Sequence, residues 1–119
     1  MQKPTQALNA FFSSFSIPAY TSKTVPDKVE LPYIAYGLTI PEWRESRSLY
    51  AIVWDRTSSN EWIVNKADEI ISAIGDGLLI DFDGGHMVIR YESSDLMIDE
   101  DCRGIYINLT LNVYSVPGV

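Results

Sequence analysis

A chain of 119 residues, 46% hydrophobic and 21% charged, is too apolar for a disordered tail. It is long enough to bury roughly two thirds of the surface its unfolded form exposes, so residues 1–119 read as a single domain. The net charge of −7 is concentrated in residues 61–101, where eleven acids stand against Lys66 and Arg90, a net −9 set against +2 for the remainder; this field excludes tight binding of phosphate backbones.

The single cysteine, Cys102, excludes an internal disulfide and any Cys-based zinc pattern. Apolar runs of only a few residues fall short of the roughly 20 that a membrane-spanning helix needs. No basic start with an apolar stretch behind it opens the chain, so synthesis in the cytoplasm is expected, with no membrane partner.

Near the N-terminus, "KPTQALNAFFSSFS" places Leu8, Phe11, Phe12 and Phe15 at i, i+3, i+4 and i+7, one apolar stripe on a helix whose first turn accommodates Pro4. "SIPAYTSKTVPDKVELP" follows. Its three prolines fix φ and remove donors, so it reads as an extended connector. "YIAYGLTI" and "SLYAIVW" are apolar on both alternating faces, as strands in the middle of a sheet are, and predict an antiparallel hairpin. The connector inside "LTIPEWRESRSLY", about 8 residues, exceeds the usual 2 to 5 of a hairpin loop; strands running past the sheet edge as an arm account for that length.

"SSNEWIVNKADEIISAIGDG" predicts a second helix. Ser58 and Glu61 have capping-box spacing, Ile63, Ala67, Ile70, Ile71 and Ile74 form the stripe, and Gly75 or Gly77 ends it. "LLIDF" and "HMVIRY", joined through Asp83, Gly84 and Gly85, read as a second hairpin. "ESSDLMIDEDCR" reads as an acidic loop. In "GIYINLTLNVYSV", Ile105, Ile107, Leu109, Leu111 and Val113 alternate with Tyr106, Asn108, Thr110, Asn112 and Tyr114, giving one core face and one face that is polar or shared with a partner. The order is α-β-β-α-β-β-β, an α+β fold with two helices packed on one face of an antiparallel or mixed sheet of about five strands.

Chemistry is sparse. His86 is the single histidine, and a general-base role needs a nucleophile and an orienting carboxylate beside it; Asp81 and Asp83 are its sequence neighbours in one solvent-reached hairpin. "DFDGG" resembles the start of a calcium loop but lacks the later acidic ligands, and reads as a turn. The acids Asp95, Asp99, Glu100 and Asp101 form a surface cluster. The G-x-G of "GDGLLIDF" leads from helix to strand, the reverse of a phosphate-binding turn. Acidic neighbours oppose thiolate formation at Cys102. No catalytic residue, cofactor or metal ligand is assigned.

Aromatics are the unusual stock. Trp54 and Trp62 fall on regular elements and read as core, whereas Trp43 sits among Glu42, Arg44, Glu45 and Arg47. An indole flanked by arginines at a hairpin tip has the makeup of an interface anchor.

The phrases "LPYIAYGL" after a proline-rich connector, "AIVWDRTSSNEWIVNKADEI" from strand into helix, and the closing "GIYINLTLNVYSV" together resemble the small tail-terminator, or tail-completion, proteins of long-tailed bacteriophages, often labelled minor capsid proteins. The resemblance covers nearly the whole chain and rests on hydrophobic and turn patterns. It implies a non-enzymatic virion protein made in the bacterial cytoplasm, a homo-hexameric ring at the head-proximal end of the tail. Its partners would be the tail-tube protein and the head connector, with DNA passing through unbound. A closed ring needs a patch on one copy to meet a different patch on the next; Trp43, Arg44 and Arg47 on one side and Asp99, Glu100 and Asp101 on the other are complementary candidates. Competing expectations are a head-completion protein on the other side of the junction, or a small enzyme or ligand-binding domain built on Asp81, Asp83 and His86.

Overall fold

The computed structural model describes residues 3–38, 46–56, 60–99 and 102–115. Helix α1 (Pro4–Phe12) starts at a proline, whose locked φ and missing N–H cost nothing at that position. It buries Ala7, Leu8 and Phe12, and Phe15 stays buried just beyond its end. Phe12 stacks on Tyr36 with ring centroids 4.6 Å apart, and Asn9 Nδ2 donates to the Tyr36 hydroxyl at 2.7 Å. A ring contact and a polar contact thus tie this helix to the sheet. Burial raises the Tyr36 phenol above its ordinary value of 10.0, with the Asn9 hydrogen bond acting in the opposite sense.

Six strands follow: β1 (Ala19–Thr21), β2 (Tyr33–Leu38), β3 (Ser46–Asp55), β4 (Leu78–Phe82), β5 (Gly85–Asp99) and β6 (Cys102–Ser115), with α2 (Glu61–Ile74) between β3 and β4. Their order in the sheet is β1-β2-β3-β6-β5-β4. β1 runs parallel to β2 and every other neighbouring pair is antiparallel, so the sheet is mixed. The fold is α+β, with both helices contributing to one core against one sheet face.

Three details depart from the expectations. A sixth strand, β1, lies inside the proline-rich connector. Pro18 is no obstacle to it, because the bond it makes to β2 uses its carbonyl, which accepts from Ile34 N–H at 2.9 Å. The stretch expected as an acidic loop is instead the second half of β5, paired with β6 as far as Asp99 opposite Cys102. Ser94, Leu96 and Ile98 alternate there with Asp95, Met97 and Asp99, a strand period beneath the charges. Trp62 is not core. Ile63, Ala67, Ile70 and Ile74 occupy the buried stripe of α2, leaving Trp62 38% exposed with Lys66 Nζ 5.7 Å from its ring centroid.

Helix α2 has Asn60 at its N-cap, and Ser58 lies outside the described residues. The Asn60 side chain does not cap; its Oδ1 accepts from Arg103 Nη1 at 3.0 Å, which fastens the start of α2 to the start of β6. Gly75, at φ 57, turns the chain out of the helix in a conformation that side chains with a Cβ resist. The β4–β5 hairpin closes through Asp83 and Gly84, the latter at φ 92, as the Asp-Gly pair predicts.

Residues facing each other across the ladders share a sheet face. On the helix side, Ile34, Tyr36, Leu49, Ala51, Val53, Met87, Ile89 and the odd residues Ile105 to Val113 of β6 form the buried layer with the helices. The expected alternation along β6 is therefore borne out.

Candidate interface surfaces

The register of β3 on β6 fixes where the two expected interface segments sit. Ser46, which follows the "TIPEWRE" connector, lies opposite Asn112, while Asp55, at the other end of β3, lies opposite Arg103. The acidic turn that leads from Asp99 to Cys102 is at the Arg103 end. Ten residues of β6 separate those two levels, roughly 30 Å at a strand's rise. The connector that precedes Ser46 and the acidic stretch that follows Asp99 are thus attached at opposite ends of one sheet.

Of the residues assigned to this contact, Trp43, Arg44, Glu100 and Asp101 lie outside the described residues. Arg47 lies in β3 opposite Leu111. Asp99 is exposed at the end of β5.

The edge beside Asp99 has its own character. β4 pairs with β5 only from Gly85 to Ile89, so beyond that point β5 has β6 on one side and, among the described residues, no strand on the other. The register shifts between Tyr91 and Ser93, which leaves Glu92 as a bulge. Past the bulge, Leu96 faces Ile105 and Ile98 faces Arg103, so both lie on the helix side, yet they are 45% and 64% exposed. Asp95, Met97 and Asp99 occupy the other side, facing Tyr106, Gly104 and Cys102. The sequence reading missed Leu96 and Ile98 because the flanking acids disguised the two-residue period.

The sheet face away from the helices is covered by its own rings. Tyr50 and Tyr106 stack with centroids 5.5 Å apart and planes 11° from parallel. Trp54 lies over Gly104, where an added Cβ would come within 2.9 Å of the indole. The Tyr50 hydroxyl and Ser22 Oγ are hydrogen-bonded at 2.6 Å. Burial raises the phenols of Tyr33 and Tyr106, each assisted by a neighbour, Cys102 for the first and Tyr50 for the second. This aromatic floor half-buries Trp54 and explains why β3 is apolar on both faces without a second helix layer.

The second hairpin brings Asp81 directly opposite His86, whose ring stacks on Tyr114 at 5.1 Å. Asp83 is in the turn. An open groove of about 420 Å³ is lined by Val29, Glu30, Leu31, Asp55 and Arg56, away from that hairpin's strands. Among the described residues no three His, Cys, Asp or Glu side chains gather as a metal site would require, and no helix is long and apolar enough to cross a membrane. No family profile matches the chain, and no curated protein is significantly similar to it.

Proposed function

We propose that the chain is a structural virion subunit that assembles head-to-tail into a ring, hexameric in the intact particle. In this role it closes the head-proximal end of a phage tail tube and joins it to the head connector. The observation that carries this reading is the placement of two arginines, each with a glutamate near it, and three acids at opposite ends of the sheet. Arg44 precedes β3 and Arg47 lies at its start, at one end of the sheet, whereas Asp99 ends β5 and Glu100 and Asp101 follow it at the other. A separation of roughly 30 Å is too great for a seven-residue connector to fold back across, since a loop of that length reaches only about half its contour. Pairing the two segments therefore calls for a second copy, and made head-to-tail the contact is heterologous, the type that closes into rings.

Self-association is the activity in this reading, and no residue is assigned to turnover. A ring stable by itself calls for contacts of roughly 1,600 Å² or more, and a ring templated by the tube for less. Acids facing the lumen would repel phosphates and let DNA pass without sticking. Exchanging Arg44 and Arg47 for glutamate is expected to leave the fold intact and lower the oligomer mass in light scattering. An unchanged mass rejects the pairing, and binding of double-stranded DNA by the unaltered protein at moderate salt rejects the repelling lumen.

A further inference from the structure

We infer that β1 of one copy adds as an antiparallel strand to the open outer half of β5 in the next, Ala19 opposite Leu96, so that one sheet runs from copy to copy around the ring. The inference rests on the head-to-tail ring and supplies its joint. Copies joined in this way keep Arg47 of one, at the Leu111 level, away from Asp99 of the next, at the Cys102 level, so this joint and the charge pairing are alternative closures of the same ring. The starting point is the height of the two open borders. Followed across the sheet, Ala19 faces Ile34, which faces Val53, then Ile105, then Leu96; Thr21 leads in the same way through Tyr36, Ala51 and Ile107 to Ser94. Among the described residues no strand lies beyond either border at this height. A rotation about an axis along the strands therefore carries one border to the other without a slide, and a head-to-tail contact that closes after whole turns gives a ring rather than a filament.

Direction and hydrogen bonding agree at this join. β1 is parallel to β2, and three antiparallel steps lead from β2 to β5, so β1 and β5 run in opposite senses. Ile34 N–H donates to the Pro18 carbonyl at 2.9 Å and Ser22 N–H to the Tyr36 carbonyl at 2.8 Å, which leaves the backbone of Ala19 and Thr21 turned outward. With Ile34 and Tyr36 bonded to β1, Ala35 bonds Ile52, and the same alternation makes Tyr106 bond Asp95; Ser94, Leu96 and Ile98 then point their N–H and C=O groups to the open side. Outward groups thus meet outward groups. The side chains match face by face. On the helix side, Ile17 and Ala19, both half-buried, come level with Ile98 and Leu96, which are 64% and 45% exposed. On the other side Tyr20, a hydroxyl donor, stands opposite Asp95, and the exposed Lys23 just past β1 comes to the level of the Glu92 bulge. Residues 17–23 carry this lysine and no acid, whereas residues 91–99 carry Glu92, Asp95 and Asp99 and no cation. Two β5 borders facing each other would instead set acids against acids, which is destabilising across strands.

The test uses two full-length proteins, each with Cys102→Ser: one carrying Ala19→Cys, the other Leu96→Cys. Mixed under mild oxidation, they are expected to form a disulfide-linked heterodimer roughly tenfold faster or more than a control mixture in which Leu79→Cys, 57% exposed on β4, replaces Leu96→Cys. Equal rates in the two mixtures overturn the joint. As a second reading free of new cysteines, Leu96→Pro removes an N–H that points to the open side and leaves the ladder to β6 whole. It is expected to keep the circular dichroism spectrum and to weaken self-association roughly tenfold or more; unchanged self-association overturns the joint. Native mass spectrometry of the unaltered protein separates the two failures. Oligomers without the cross-link refute this joint and spare the ring, whereas a monomer at every concentration refutes both.

Discussion

The two halves of β5 share a strand and a neighbour but live in different surroundings. From Gly85 to Ile89 the strand lies between β4 and β6, and Met87 and Ile89 are fully buried. From Tyr91 to Asp99 it keeps, among the described residues, β6 alone, and none of its residues is buried. The first half therefore serves the stability of the single chain. The second offers little to it, since Leu96 and Ile98 stay exposed. Hydrophobic residues of equal size can thus have separate uses on one strand, decided by whether a third strand and a helix reach them.

The largest expected effect sets the two halves apart directly. Ile89→Ala should destabilise the folded chain by about 2–5 kcal/mol, since it opens a cavity in a packed layer. Ile98→Ala should change monomer stability by less than about 0.5 kcal/mol. Urea unfolding at a concentration that keeps the chain monomeric checks both, and equal losses would erase the distinction. Next in size is Gly104→Ala, where the new Cβ would crowd the Trp54 indole at 2.9 Å. A loss of about 1–3 kcal/mol is expected, and Gly104→Ala should cost little further when made in a Trp54→Ala background, where the indole is gone. That result would show that the face away from the helices is sealed by rings of the chain itself.

A smaller effect concerns pH. Tyr33, Tyr36 and Tyr106 hold their protons more tightly in the fold than in the unfolded chain. Their contribution is complete below the unfolded value of about 10 and is lost as pH rises through the folded values, because the unfolded chain then binds fewer protons. The urea midpoint should fall as pH rises above about 10, and Tyr36→Phe should make the fall shallower. At neutral pH the same substitution removes the hydrogen bond from Asn9, costing about 1 kcal/mol. A steeper alkaline fall in Tyr36→Phe would contradict the assignment.

Much of the architecture was legible because its signals are local. The stripe of Ile63, Ala67, Ile70 and Ile74, the Asp-Gly turn after Phe82, and the alternation from Ile105 to Val113 each follow from a period or a turn preference. β1 was not legible, since three residues beside a proline carry no period, and their pairing depends on β2 being already in place. The outer half of β5 was hidden by composition: acids between Glu92 and Asp99 suggested a loop, although Leu96 and Ile98 kept the strand's alternation. Trp62 went astray because its size argued for burial while its place on the helix, next to Ile63, turned it outward. The sequence did separate the Trp43 connector from the acidic stretch after Asp99, but only the register of β3 on β6 puts their attachment points at opposite ends of the sheet.

Whether burial is completed between copies is tested most directly by the mass of the unaltered protein in solution across a wide range of concentration, alone and with tail tubes. With a chain mass of 13.4 kDa, the ring predicts a species near 80 kDa, about six chains, that grows with concentration or forms on the tubes. A particle of 13.4 kDa throughout, both alone and in the presence of tubes, would contradict it.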